Sequence, residues 1–248
     1  MTPQTLLIAF LLVFVTVQTL FAAFPGIDLA VSALFADGSR GFPWTMGIAP
    51  DINLAVRRLG EVATLLLLLG ILYGLTSGKT PRDHVRLLAY PFLCVALASG
   101  VVVNVLLKSH VGRARPVTLA DFGGTAQFTP PWQVVEECAR NCSFVSGEVA
   151  LAAGLAIPTI VILWPHLTRT HSRVLAVGLA AAYILLTATL RVGLGRHFLS
   201  DVVFSTLFSA AAALALYTVL GIARARLSLP GRASRRPAIE LVEQRGVY

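Results

Sequence analysis

The run Leu87-Leu-Ala-Tyr-Pro-Phe-Leu-Cys-Val-Ala-Leu-Ala-Ser-Gly-Val-Val-Val-Asn-Val-Leu-Leu107 decides the fold class. It holds no Asp, Glu, Lys or Arg over 21 residues, and a helix needs about 20 residues to cross the hydrocarbon core of a bilayer. Five further stretches, Thr5–Phe24, Val62–Ser77, Val149–Trp164, Val174–Leu190 and Val202–Ala223, are equally free of those four residue types. Val62–Ser77, Val149–Trp164 and Val174–Leu190 are shorter, but each borders residues able to continue a helix, so no thinning of the bilayer is required. Backbone groups in lipid must be satisfied within their own element, which selects helices. The alternation of a membrane barrel is missing. The whole chain is 56% hydrophobic and 13% charged, with mean hydropathy +0.77, a balance typical of membrane proteins. The expected fold is all-α: an integral membrane bundle of six transmembrane helices.

Basic residues orient such a bundle, because cytoplasmic loops are enriched in Lys and Arg. Lys79, Arg82 and Arg86 lie between the second and third stretches, and Arg169 and Arg173 between the fourth and fifth. Arg224, Arg226, Arg232, Arg235 and Arg236 follow the sixth. Six spans put these three groups on one side, read as cytoplasmic. The opposite, periplasmic side then carries Pro25–Glu61, Lys108–Ser146 and Val192–Asp201, with Arg40, Arg57 and Arg58 counting against the rule. The first stretch reads as a retained span and not a cleaved leader: Met1–Gln4 has no positive charge, and the apolar run is longer than a usual leader core.

One domain is expected over residues 1–229, followed by a basic cytoplasmic tail at 230–248. The net charge of +8 and pI near 10.1 suit anionic headgroups. They do not point to nucleic acid, which would want a soluble basic face. Asp28–Phe35 could form a short amphipathic helix on the membrane, and Phe42-Pro43-Trp44-Thr45-Met46 suits an interfacial position. Of three cysteines, Cys94 falls within a span and reads as a small apolar residue. Cys138 and Cys142 share the long outer loop. They are open to a disulfide in an oxidising compartment or to two free thiols. No histidine lies close enough in sequence to complete a metal site with them.

Three short segments carry the chemistry. Lys108 stands seven residues before Arg115-Pro116. Cys142-Ser-Phe-Val-Ser-Gly-Glu148 follows. Arg191, His197 and Asp201 close the set, at intervals of six and four. The first and third segments resemble the signature of the type-2 phosphatidic acid phosphatase superfamily, which includes the vanadium haloperoxidases. The resemblance covers about Lys108–Asp201 and extends to the six-span plan. It implies an α-helical bundle with the site at the outer membrane face. It also implies hydrolysis through a phosphohistidine with no metal or other cofactor.

Each residue has a physical use in that chemistry. A phosphate monoester needs its charge neutralised, a nucleophile opposite the leaving oxygen, and a proton for that oxygen. Lys108, Arg115 and Arg191 are the expected phosphate-binding cations; an Arg fork can grip two oxygens. Singly, each could be an ordinary interfacial cation. Arg113 is an extra cation in the same run, open to a second phosphate or to headgroups. Ser146 and Gly147 should open a helix whose free N–H groups favour an anion, with Gly147 allowing close approach. His197 is the expected nucleophile. Asp201, four residues on and on the same helical face if the sixth span begins there, would accept from one ring nitrogen and leave the other free to attack.

Two positions depart from the family pattern. Leu190 stands where a Ser often precedes the third-segment Arg. Glu148 stands where the family usually has the His that acts on the leaving group. Burial would favour a neutral Glu148 able to donate a proton, whereas a helix N-terminus and several arginines would favour the carboxylate. It could equally orient water or a sugar hydroxyl, or simply compensate the helix dipole.

The resemblance implies a periplasm-facing lipid phosphatase of a bacterial inner membrane. Its size, six spans and the Cys142–Glu148 stretch look most like the lipid A 4′-phosphatase branch. Undecaprenyl diphosphate and phosphatidylglycerol phosphate are rival substrates. Transfer of the phosphoryl group to a lipid hydroxyl, or phosphate-lipid binding without catalysis, are the alternative classes. The apolar spans exclude a soluble haloperoxidase.

Overall fold

The structure is a computed structural model that describes residues 3–78 and 80–225. Lys79, the arginines from Arg226 onward and the tail at 230–248 lie outside the described residues. Helices α1 (Pro3–Ala23), α2 (Gly26–Ala33), α3 (Ala49–Thr76), α4 (Arg82–His110), α5 (Gly147–Leu163), α6 (Thr170–Gly193) and α7 (Leu199–Val219) form the fold. All but α2 are long and apolar enough to span a membrane, and the described residues contain no strand. This is the expected six-span all-α architecture.

Helix α5 is the centre of the bundle and packs against α3, α4, α6 and α7. Its sequence explains why. Ala150, Ala152, Ala153, Gly154 and Ala156 are all buried, and small residues let helix backbones approach closely where lipid supplies no hydrophobic drive between helices. A Cβ on Gly154 would lie 3.3 Å from Val95 Cα, so α4 crosses against bare backbone. Ser209 donates to the Ala150 carbonyl at 3.0 Å, and Tyr90 to that of Ala213 at 2.9 Å; each such bond within a membrane bundle contributes about 0.6 kcal/mol. The outward faces are the reverse of a soluble protein's. Leu12, Leu66, Tyr73, Val174 and Leu179 are more than 60% exposed, a surface suited to lipid.

Two elements differ from their sequence reading. α3 begins at Ala49, well before the apolar stretch at Val62, so Arg57, Arg58 and Glu61 are helical. Arg57 and Arg58 both bond Glu61 at 2.7 Å, which lets charged residues ride on an extended helix end. Helix α2 turns its polar side inward: Asp28 and Ser32 are buried while Leu34 is 80% exposed. In the 42–46 segment only Phe42 is buried; residues 43–46 are exposed, Met46 by 83%. Phe42 is buried against Phe122, and Trp44 lies against Gly193 and the Phe35 ring. Both segments cap the end of the bundle where the three motifs meet.

Candidate active site

The C-termini of α4 and α6 and the N-termini of α5 and α7 meet at one end of the bundle, and so gather residues far apart in sequence. Lys108 is in the last turn of α4. Ser146 caps α5, its Oγ accepting from Val149 N at 3.4 Å. The helix therefore opens at Gly147, where the sequence placed it, with Glu148 in its first turn. Arg191 ends α6. After it, Gly195 takes φ +62, a left-handed conformation that glycine adopts at little cost. That turn doubles the chain back and brings His197 beside Arg191, whose carbonyl accepts from His197 N at 3.3 Å. Val117 N donates to the Gly195 carbonyl at 2.9 Å and ties the first motif to the third.

A cavity of about 590 Å³ opens among these ends. Lys108, Arg115, Gly147, Glu148 and Arg191 line it, as the sequence grouped them. Ser146 and His197 are almost fully buried beside it. Arg57, Glu61, Asn104, Asn141 and Arg196 also line it, and the motif reading had given them no part. Asn141 links the first motif's two cations: its Oδ1 accepts from Lys108 Nζ at 3.2 Å and its carbonyl from Arg115 at 2.7 Å. It sits inside the short loop closed by the Cys138–Cys142 disulfide, the bonded alternative of the two open above. Asn104 lies in a π-helical stretch of α4, Ala96–Leu107, and donates to the Ser99 carbonyl at 2.7 Å. Such wide turns concentrate at functional sites.

Glu148 occupies the place of an anion. Its Oε1 pairs with Arg191 at 3.0 Å and lies 3.9 Å from Arg57, while Oε2 is buried with no partner. Nε of Arg115 and of Arg191 are likewise buried and unbonded. Burial withdraws Arg115 from water and lowers its pKa, and neighbouring Arg196 pushes the same way. The two Nε donors suit acceptor oxygens such as those of a phosphate, whereas Oε2 of Glu148 suits a donor.

His197 is held in one tautomer. Its Nδ1 lies 2.7 Å from the Ser143 carbonyl. A carbonyl can only accept, so Nδ1 carries the proton and Nε2 keeps the lone pair. The expected bond to Asp201 is absent: Nδ1 and Asp201 Oδ2 are 3.6 Å apart, beyond hydrogen-bond range. The two do not share a helical face either, because α7 begins at Leu199 and His197 precedes it. Asp201 reaches the ring through Ser143 instead. Its Oδ2 accepts from Ser143 Oγ at 2.5 Å and from Phe198 N at 2.8 Å. Burial, with Arg191 and Lys108 nearby, pushes the His197 pKa down to about 3 against the pull of Asp201; the ring is neutral at neutral pH.

Arg113 is not a cation of the cavity. It is fully buried under the third motif, between the rings of Phe198 (4.1 Å) and Phe128 (5.6 Å). Its donors are committed to the Thr129 carbonyl, Ser200, Asp201 and Asp28 at 2.7–2.9 Å. Removing one partner of a buried pair like this costs about 3–5 kcal/mol, because the other charge is left uncompensated.

Comparison with known proteins agrees with this geometry. No solved structure matches the chain at a significant level. A protein of Rhizobium etli named lipid A 4′-phosphatase is 33% identical over 84% of this chain and 85% of its own length. A Rhizobium leguminosarum protein of the same name is 34% identical over 76% and 85%. One from Francisella tularensis subsp. novicida, also so named, is 28% identical over 76% and 83%. The PAP2 superfamily model matches residues 89–224. That match takes in all three motifs together with most of α4 and all of α5, α6 and α7, which bring them to one cavity, and the chain belongs to the PAP2 superfamily.

Proposed function

We propose that this multi-pass membrane protein removes the 4′-phosphate of lipid A on the periplasmic side of a bacterial inner membrane. The coarser reading, a lipid phosphatase and so a phosphoric monoester hydrolase, follows from the family and its relatives. The finer one rests on those relatives' names and on one structural observation: Lys108, Arg115, Arg191 and Glu148 converge on a single cavity at the helix ends, with His197 in its attacking tautomer beside it.

In this reading Lys108, Arg115, Arg191 and the N–H groups at the start of α5 hold the phosphate. The Nε2 lone pair of His197 forms a bond to phosphorus as the bond to the leaving oxygen breaks. Glu148, which has taken up the proton brought by the substrate monoanion, passes it to that oxygen. Water then attacks phosphorus, the P–N bond breaks, Glu148 receives the water's proton, and phosphate leaves.

The test is phosphate release by the purified protein, in EDTA-containing buffer, from lipid A, undecaprenyl diphosphate, phosphatidylglycerol phosphate and phosphatidic acid. Lipid A is expected to be turned over fastest; preference for another member of the panel would reassign the substrate. Recovery of phosphorylated lipid in place of free phosphate would mean transfer and not hydrolysis.

The periplasmic placement gains support from Arg57, whose charge is committed to Glu61 and the cavity and so has a use besides topology. A cysteine at exposed Thr125 checks it. Cys94 is buried and the other two cysteines are bonded, so the parent supplies the blank. Thr125→Cys is expected to react with an impermeant maleimide in intact spheroplasts. Reaction only after permeabilisation would invert the topology.

A further inference from the structure

We infer that Asp28, on the short helix α2, is a positioning residue for His197, acting through Arg113 and Asp201. The inference rests on the proposed nucleophile, and it concerns a residue outside the span matched by the family model, 89–224.

The connection is a continuous chain of buried bonds. The His197 ring donates to the Ser143 carbonyl, and Ser143 Oγ donates to Asp201 Oδ2. Asp201 Oδ1 accepts from Arg113 Nη1 at 2.7 Å, and Arg113 Nη2 donates to Asp28 Oδ2 at 2.8 Å. Ser200, beside Asp201, closes the circuit: its backbone N donates to Asp28 Oδ1 at 2.8 Å and its Oγ to Asp28 Oδ2 at 2.5 Å, while that Oγ accepts from Arg113. Asp28, Arg113, Ser143, Ser200 and Asp201 are all fully buried.

Three donors and the Arg113 charge meet Asp28, surroundings that favour its carboxylate form. Burial raises its pKa above the ordinary value, with Asp201 pushing the same way; Arg113 and the Ser200 hydroxyl offset this only in part. Two carboxylates thus share one guanidinium, and the cluster keeps one net negative charge. That charge lies under an imidazole which becomes cationic when Nε2 bonds phosphorus with Nδ1 still protonated. Asp28 has two effects on the reaction. It anchors Arg113, whose forked donors set where Asp201 and Ser143 stand. It also offsets the Arg113 charge, which would otherwise cancel that of Asp201. Misplacing a reacting group by about 1 Å can cost 10²-fold in rate.

The experiment follows the rate of phosphoenzyme formation in single turnover on ³²P-labelled lipid A in mixed micelles, with the full-length protein. Acid-labile label in the parent, absent in His197→Ala, establishes the nucleophile independently. Its absence from the parent would overturn the mechanism itself, and this inference with it. Given that label, Asp28→Asn is expected to slow formation by about 10- to 100-fold per labelled site. KM and inhibition by inorganic phosphate should stay within about twofold, because the phosphate cations are untouched. Should Asp28→Asn fail to fold, Ser200→Ala removes one bond to Asp28 and one to Arg113, and should slow the same step about three- to tenfold. Parental rates per labelled site in these variants, or a rise in KM with the chemical step intact, would overturn the inference.

Discussion

Replacing His197 with alanine is expected to lower phosphate release by about 10³-fold or more, since it removes the atom that bonds phosphorus. Assembly should survive, because among the described residues the ring's hydrogen bond is to a backbone carbonyl, and the phosphate cations belong to other segments. Phosphate release assayed beside a detergent melting curve makes the check, and activity within a few-fold of the parent would sink the mechanism. The same ring predicts a pH effect on stability. Its folded pKa, near 3, is depressed below the ordinary 6.5. The unfolded chain therefore takes up a proton that the folded chain refuses. This contribution to stability is fully present above pH 6.5 and declines as pH falls from there toward 3. His197→Ala should flatten that part of the stability profile, read from the melting temperature across pH.

Replacing Glu148 with glutamine should separate two kinds of leaving group. If Glu148 delivers the proton, release of a sugar alkoxide should slow by about ten- to a thousand-fold, below the full ~10²–10⁴ typical of general acid catalysis. Release of p-nitrophenol should slow much less, because that anion leaves without a proton. The geometry sharpens the test. Glu148 is paired with Arg191 at 3.0 Å, and glutamine loses that pair too. Lost pairing disturbs both substrates alike, whereas lost proton delivery shows only on the poor leaving group. Equal loss on both would thus assign Glu148 to positioning Arg191, and no loss on either would leave it a first-turn carboxylate opposing the helix dipole. Glu148→His should keep part of the activity, since imidazole can also donate.

The structure also explains why a glutamate is tolerated here. Its Oε1 lies between Arg191 and Arg57, so its charge is compensated before substrate arrives. Arg57 could not have been assigned to this site from its neighbours in sequence. It stands in a polar run ahead of an apolar stretch, and reads as a loop cation that breaks the charge rule. Only the forward extension of α3, stabilised by Glu61, carries it into the cavity.

What the sequence determined by itself is what depends on local composition and fixed spacing. Six apolar runs specify six spans because the cost of burying charge in lipid is paid residue by residue. The three motifs meet because each borders a span end, and alternating helices bring those ends to one face. The start of α5 at Gly147 was legible from Ser146 as a cap. The tertiary structure alone decided the bonds between distant segments. Asp28 and Arg113 are 85 residues apart and Arg113 and Asp201 are 88 apart, with nothing in the intervening chain to relate them. A lone Arg in a basic run reads as a surface cation, and a lone Asp on a short amphipathic helix as its wet side. Both are buried instead, and a charge in a buried site must find its counter-charge there; which one it meets is set by how the helices pack. For the same reason the tautomer of His197 was decided by the fold. The carbonyl that holds its proton belongs to Ser143, 54 residues earlier in the chain, and only the docking of the long loop against α7 brings the two together.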